Sequence, residues 1–392
     1  MFIPGRIEFL GKHTDYCGGR SIVCAIDRGF RATVEQRQDS RVVLENLDTT
    51  ETVSFELDKR SEGQMGHWVN YAAEVGRRLS KNFKGPLKGA KVSFRSDLPK
   101  AAGLSSSSAL MIMAFAALDE VNHLRERDEF WANIMNDLDL AEYLGCIENG
   151  QSFRDLAGSA GVGTFGGSQD HAAIMLGKSG LLSRFAFSPL LHEGDLEFPD
   201  DRVFVIASSG VIAEKTGAAL EKYNRVSRMV REITSYFGGG PISKLIDDLG
   251  IAAIRERIRQ GSFGFSVDEL LARVEQFRVE NYEIISAVSE LIAANRLDDV
   301  GELIDLSQHN AELLLGNQVE ETVFLQRTAR DIGAFAASAF GAGFGGSVYA
   351  IIGAAESDKF VREWKKVYLE RFPHHRESCE FFTTRPSAIA LG

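Results

Sequence analysis

The run Leu98-Pro99-Lys100-Ala101-Ala102-Gly103-Leu104-Ser105-Ser106-Ser107-Ser108-Ala109 constrains this chain more than any other stretch. Glycine lets the backbone close on an anion, the serines add hydroxyl donors and a ligand for a divalent cation, and the apolar run Ala109 to Val121 that follows reads as a helix. A phosphate group would sit on the N-terminus of that helix, where backbone N–H groups lack intrahelical partners and the helix dipole favours negative charge. The cradle is not a Walker A loop. That pattern, G-x-x-x-x-G-K-[ST], occurs nowhere, since Gly177-Lys178-Ser179 has Ala172 where the leading glycine is required.

Two more segments extend the reading. Near the start stands Pro4-Gly5-Arg6-Ile7-Glu8-Phe9-Leu10-Gly11-Lys12-His13-Thr14-Asp15-Tyr16-Cys17-Gly18-Gly19, and near the end Gly341-Ala342-Gly343-Phe344-Gly345-Gly346-Ser347. With the serine run between them, in this order, they resemble the three motifs of the GHMP small-molecule kinases. Gly5-Arg6 followed by His13-Thr14-Asp15-Tyr16 is similar to the galactokinase signature. The resemblance runs from the first residues to about Ile352. It implies an α+β fold of the GHMP kinase type, with an N-terminal domain over residues 1–200, a C-terminal α/β domain over 201–392 and an active site between them. Galactokinases generally carry a further segment before the first motif. A misassigned start and a member without that segment are both open here.

Composition fits an enzyme of this kind. A chain of 392 residues can bury a large core, and its 44% hydrophobic and 25% charged content is ordinary for a globular protein. A formal net charge of -11, with no compensating basic tail, argues against nucleic-acid binding. No apolar run reaches the length of a membrane span, and the N-terminus lacks the layout of a signal peptide. Cys17, Cys24, Cys146 and Cys379 are scattered, which suits free thiols in a reducing cytoplasm.

Along the chain, Arg6 to Leu10, Ser21 to Val34, Arg41 to Asn46, Thr52 to Leu57 and Ala90 to Arg95 read as strands, interrupted by a helix starting near Trp68. A second helix is expected over about Asp128 to Cys146. Short strands are expected at His171 to Leu176, Gly180 to Phe187 and Arg202 to Ala207. The texture from Glu214 to Ala337 is helical, and the chain closes with a strand (Ser347 to Ile352), a helix (Ser357 to Leu369) and a last strand (Cys379 to Thr384). Strands early and helices late read as α+β. Gly161 to Gly166 and Gly341 to Gly346 both match G-x-G-x-x-G, but neither runs from a strand into a helix as a dinucleotide fingerprint requires. Both read as loops where backbone closes on a ligand or on an opposing motif. The histidine pair His374-His375 shows no metal-ligand spacing.

The resemblance implies an ATP-dependent sugar 1-kinase that requires Mg²⁺. On that basis Gly103, Leu104, Ser105, Ser106, Ser107 and Ser108 form the ATP phosphate cradle, and Trp68 either flanks the adenine or is a core tryptophan. Ser106 and Glu148 contact Mg²⁺, and oxygen donors of that kind suit a hard cation. Asp170, in Gly166-Gly167-Ser168-Gln169-Asp170-His171, matches the aspartate that faces the sugar's anomeric hydroxyl, although Gln169 and His171 replace the family's methionine and glutamine. Its carboxylate can accept the hydroxyl proton while Arg6 keeps it ionised. His13 and Asp15 match the sugar-facing pair of the first motif, and Tyr223 the tyrosine of the family's Tyr-Asn-x-Arg segment. Lys12 departs, because galactokinases place there a glutamate that touches the sugar near its C6 hydroxyl. A lysine facing C6 would pair with the carboxylate of a uronic acid; alternatively it turns aside. Three functions follow: a kinase for α-D-galactose, a kinase for a related sugar such as galacturonic acid, and a sugar sensor that has lost turnover. The partners expected are a small sugar and ATP, with no nucleic acid or membrane, in a monomer or weak homodimer.

Overall fold

The structure, a computed structural model, describes residues 1–57, 67–212 and 217–391. Its strands are β1 (Phe2–Leu10), β2 (Arg20–Gln36), β3 (Arg41–Asn46), β4 (Glu51–Glu56), β5 (Ala90–Ser96), β6 (Leu181–Ala186), β7 (Leu191–Glu197), β8 (Arg202–Ser208), β9 (Ala336–Phe340), β10 (Ser347–Gly353), β11 (Glu380–Thr384) and β12 (Pro386–Ser387). The helices are α1 (Val69–Asn82), α2 (Ser106–Asn122), α3 (Asp128–Trp131), α4 (Asp137–Asn149), α5 (Gln169–Leu176), α6 (Gly217–Tyr236), α7 (Ile242–Leu249), α8 (Ile251–Gln260), α9 (Val267–Arg278), α10 (Ile285–Ala293), α11 (Gly301–Asn310), α12 (Glu320–Asp331) and α13 (Ser357–Arg371).

Two sheets organise these elements. The larger has eight strands in the order β4-β3-β5-β2-β6-β7, with β1 and β12 also pairing with β2. The 17-residue β2 reaches all these partners because its successive stretches pair with β6, β1 and β5 in turn. The smaller sheet is antiparallel, in the order β11-β8-β10-β9. The chain passes from the larger sheet to the smaller between Glu197 and Arg202, and β12 returns to the larger.

Packing explains the centre of the molecule. From Ile3 to Leu10 every residue of β1 is buried, and α2 carries buried residues all round, from Ala109 and Met111 to Phe115 and Leu118. A helix apolar on every side is stable only when covered on every side. It lies against β1, β2 and α1, so the serine loop at its start is held on a fixed element. One apolar cluster joins this region to Phe204, Phe340, Tyr349 and Ile351 of the smaller sheet, and a second packs α12 and α13 on that sheet's other residues through Leu325, Val205, Val348 and Trp364.

Three expected elements differ, and two strands were not expected. Residues 171–176, expected as a strand, belong to α5. The single helix expected over 128–146 is divided into α3 and α4, the second capped by the Asn136 side chain, which accepts from the Asp139 N–H. The helical texture stops at Asp331, and Ala336–Phe340 is the strand β9, buried at every residue between β10 and the helices α11 and α12. Leu191–Glu197 adds the unforeseen β7, and β12 follows the strand expected to be the last.

Candidate active site

Two cavities open where the three motifs converge. The larger, about 490 Å³, is lined by Trp68, Tyr71 and Phe94 on one side and by Gly103, Ser105, Ser106 and Ser107 on another. The smaller, about 40 Å³, is lined by His13, Asp15, Glu148 and Asp170, with Glu8 and Tyr16. Arg6 and Ala342 line both, so the cavities meet there.

The serine loop has the backbone of an anion cradle. Ala101, Gly103 and Ser105 all take positive φ values, 48°, 77° and 59°, and the last of them is the N-cap residue of α2. Alternation of ordinary and left-handed residues turns successive N–H groups toward one side. The Ser105 side chain makes no cap hydrogen bond, and its buried Oγ has no partner among the described residues. The unpaired N–H groups of the first helical turn are therefore left for a ligand. Leu104 is buried and does not line the cavity, and its carbonyl accepts from the Arg6 N–H at 3.1 Å. The third motif closes on this loop: Ser347 Oγ donates to the Ala102 carbonyl at 2.6 Å, and a Cβ on Gly341 would lie 3.1 Å from the Gly103 carbonyl oxygen. It is a loop between β9 and β10 in contact with the opposing motif, as its sequence context implies.

Arg6 is the joint between the cavities. Its Nε donates to Asp170 Oδ1 at 2.7 Å, its Nη2 lies 2.7 Å from the same oxygen, and its Nη1 donates to the Gly103 carbonyl at 2.5 Å. The guanidinium is 5% exposed and the carboxylate 18%, so the pair is shielded yet Asp170 still faces the cavity. A buried pair of this geometry keeps the carboxylate oriented and anionic. Asp170 owes its place to α5, whose first turn carries it.

The first motif folds as a tight loop after β1. Gly11 has φ +108°, and a Cβ there would lie 2.3 Å from Ser21 Oγ, so no other residue fits. His13 Nδ1 is 2.8 Å from the Tyr16 hydroxyl and its Nε2 is 3.1 Å from the Ala342 carbonyl, fixing the ring in the smaller cavity. Asp15 accepts from the Gly167 N–H at 3.0 Å, and burial raises its pKa above the ordinary carboxylate value. Behind the loop, Arg273 Nη2 of α9 donates to the His13 carbonyl at 2.6 Å and Gln276 Nε2 to the Lys12 carbonyl at 3.1 Å. Glu280, in the π-turn Val279–Ile284 that follows α9, accepts from the Gly11 N–H at 2.9 Å.

Lys12, expected at the sugar, does not join these residues. Its ammonium donates to Ser307 Oγ at 2.9 Å and Ser338 Oγ at 2.8 Å, and the residue is 2% exposed and lines neither cavity. Burial lowers its pKa, an effect opposed by the nearby charges of Glu280 and Glu8. The observation behind the uronic-acid reading is thereby removed, since an ammonium held on α11 and β9 is not offered to a ligand.

Ser106 and Ser107 line the nucleotide-sized cavity, while Ser108 is buried behind them and donates to Glu148 Oε2 at 3.1 Å. Thr164 and His171 also approach Glu148, at 3.4 and 3.6 Å. Trp68 is partly buried on the apolar cluster with its indole N–H on Glu51 at 3.1 Å, so it is at once a packing residue and a wall of the cavity. The Tyr223 side chain lies outside the described residues. Glu8 and Tyr16 were not singled out from the sequence, and Gln169 only as a replacement for the family's methionine. Glu8 had one readable signal, a second charged residue two positions after Arg6 in a mostly apolar strand. One histidine reading also changes: His374 and His375 come together with Glu321, their ligand atoms within 4.8 Å of one another, although none lines either cavity.

Comparison with known proteins agrees with this geometry. The galactokinase galactose-binding signature matches residues 2–36, the GHMP kinase N-terminal domain 70–178 and the GHMP kinase C-terminal domain 288–369. The chain is 28% identical to galactokinase of Thermococcus kodakarensis over 389 residues, covering 99% of this chain and 98% of that protein. It is 26% identical to galactokinase of Fusobacterium nucleatum over 380 residues, covering 95% and 90%. Among solved structures, Lactococcus lactis galactokinase complexed with galactose superposes with a TM-score of 0.78 at 22% identity, covering 100% of this chain and 94% of that one. The mevalonate kinase of Methanococcus jannaschii follows the same fold at 0.56 and 16% identity, covering 98% and 97%. The chain belongs to the GHMP kinases, and within them it is galactokinase-like.

Proposed function

We propose that this chain is an ATP-dependent galactokinase, converting α-D-galactose and ATP to α-D-galactose 1-phosphate and ADP. The observation that carries the reading is the Arg6 joint, which ties the Asp170 carboxylate to the phosphate cradle at the meeting of a nucleotide-sized cavity and a small polar one. In-line phosphoryl transfer is mostly positioning and electrostatic stabilisation, so such a joint is where the chemistry belongs. The Asp170 carboxylate takes the proton of the anomeric hydroxyl as its oxygen bonds to the γ-phosphorus. The bond to the bridging oxygen breaks, and ADP leaves. Arg6 keeps Asp170 anionic and brings positive charge to the developing transition state.

His13 and Asp15 hold sugar hydroxyls in the small cavity, with Tyr223 as a further contact by resemblance. Trp68 walls the base side of the larger one. Ser106 and Glu148 fit Mg²⁺, both offering oxygen atoms to adjoining cavities, with Glu148 oriented by Ser108. Bound there, the cation would neutralise phosphate charge. The division into domains 1–200 and 201–392 belongs to the same reading and is supported by the passage between sheets at residues 197–202.

The test is coupled ADP release from the purified protein against a panel of aldoses, uronic acids and amino sugars. Galactose is expected to be turned over in a Mg²⁺-dependent way, with phosphate on C1. Nucleotide binding without phosphorylation of any of these sugars would favour the sensor instead.

A further inference from the structure

Glu8 has no role in the mechanism above, yet it sits where that mechanism operates. Arg6 and Glu8 are two residues apart on β1 and so project to the same face. Arg6 turns to Asp170, while Glu8 lines the small cavity with Asp15 and Asp170, 4% exposed. Its Oε1 is buried and has no hydrogen-bond partner among the described residues. A buried carboxyl oxygen without a partner is costly and uncommon, and where a native fold keeps one at a cavity, a ligand is the natural completion. The neighbouring cation does not supply it, because the Lys12 ammonium is committed to Ser307 and Ser338.

We propose that Glu8 is a specificity-determining residue of the sugar site, whose carboxyl group hydrogen-bonds a sugar hydroxyl other than the one that is phosphorylated. The reacting hydroxyl must face Asp170, which leaves Glu8 a different position on the ring. In its neutral form the carboxyl both donates and accepts, and a hydroxyl is the ligand group that answers both at one atom. Burial favours that form, pushing the pKa of Glu8 up to about 8 against the opposing charges of Arg6 and Lys12, with Asp170 and Asp15 acting in the same direction as burial. A carboxylate in that place on the substrate would bring a negative charge beside Asp170 and Asp15, so the cavity selects neutral sugars.

This inference rests on the galactokinase reading, and the experiment separates the two. Steady-state kinetics are measured for wild type, Glu8→Gln and Glu8→Ala with galactose and each of its monodeoxy analogues. Glu8→Ala should raise KM for galactose by about tenfold or more with KM for ATP within about twofold, and Glu8→Gln, which keeps a donor and an acceptor, should recover most of that loss. One deoxy analogue should be a poor substrate for wild type and no worse than galactose for Glu8→Ala. Should Glu8→Ala fail to fold, the same loss of discrimination, partial in size, is read in Glu8→Gln. Unchanged galactose KM in a Glu8→Ala enzyme that still phosphorylates galactose, or a ranking of the deoxy analogues unchanged in both variants, overturns the role of Glu8 alone. Wild-type protein that phosphorylates no sugar overturns both readings.

Discussion

Replacing Glu8 by glutamine should make the protein more stable, and the gain should depend on pH in a direction that can be worked out. Four charged groups act on the buried carboxyl, Arg6 and Lys12 favouring its ionised form and Asp170 and Asp15 its neutral form, but burial outweighs them and moves its pKa from 4.5 to about 8. Because the folded-state pKa is raised, the folded chain holds a proton that the unfolded chain releases between these two values. Stability therefore falls as pH rises through that window, is unaffected well below it and stays at the lower level above it. At pH 7 the unfolded carboxyl is 2.5 units above its pKa and the folded one a unit below, which amounts to about 3 kcal/mol of lost stability. Glutamine has nearly the same shape and no proton to hold. Glu8→Gln should gain about 3–4 kcal/mol over wild type at pH 7 to 8 and less than about 1 kcal/mol near pH 4.5 to 5. Urea unfolding followed by tryptophan fluorescence at several pH values measures the difference, and all other titrations cancel between the two proteins. A difference that does not change with pH, or a variant less stable throughout, would show that Glu8 is already ionised and paired in the fold.

Three further outcomes are expected. Asp170→Asn should lower kcat by at least about 10²-fold with little change in sugar KM, because the amide cannot take the hydroxyl proton; near-normal turnover removes Asp170 from the mechanism. Ser106→Ala should raise KM for Mg²⁺-ATP while leaving sugar binding as it was, and the opposite pattern in a titration would reassign the serine motif. Lys12→Met should cost about 3 kcal/mol or more of stability by leaving the Glu280 charge buried without its ammonium, yet leave the preference for galactose over galacturonate within about threefold; a larger change in preference would put the ammonium at the sugar after all.

Legibility in the sequence followed how locally each feature is determined. The serine loop was readable because an anion cradle needs glycine and hydroxyls at contiguous positions, and the strands up to Ser96 were readable because alternation is a nearest-neighbour pattern. Residues 171–176 were misread as a strand because a short apolar run does not distinguish strand from buried helix, and what makes α5 helical is its packing on α4, β1 and β2. Ala336–Phe340 looked helical by its alanines, and tertiary pairing with β10 overrode that propensity. The direction of Lys12 depended on Ser307 and Ser338, 295 and 326 residues away, and no local pattern carries such information.

Lys12 and Glu8 are better understood together than one at a time. The Lys12 charge acts on Glu8 and the Glu8 charge on Lys12, each favouring the other's ionised form, but burial opposes ionisation in both. Their side chains also part company: the ammonium finds hydroxyls on α11 and β9, while the carboxyl stays at the cavity with an oxygen unpaired. A lysine in a sugar-kinase motif read alone suggests an anionic substrate. Once that lysine is turned into the protein, the acidic groups that remain around the small cavity are Asp15, Glu148 and Asp170, beside a Glu8 carboxyl that burial holds mainly neutral, and the Arg6 guanidinium among its described lining residues is already bound to Asp170. Selection by charge at this site therefore runs against uronic acids and toward neutral sugars, the reverse of what the substituted residue suggests by itself.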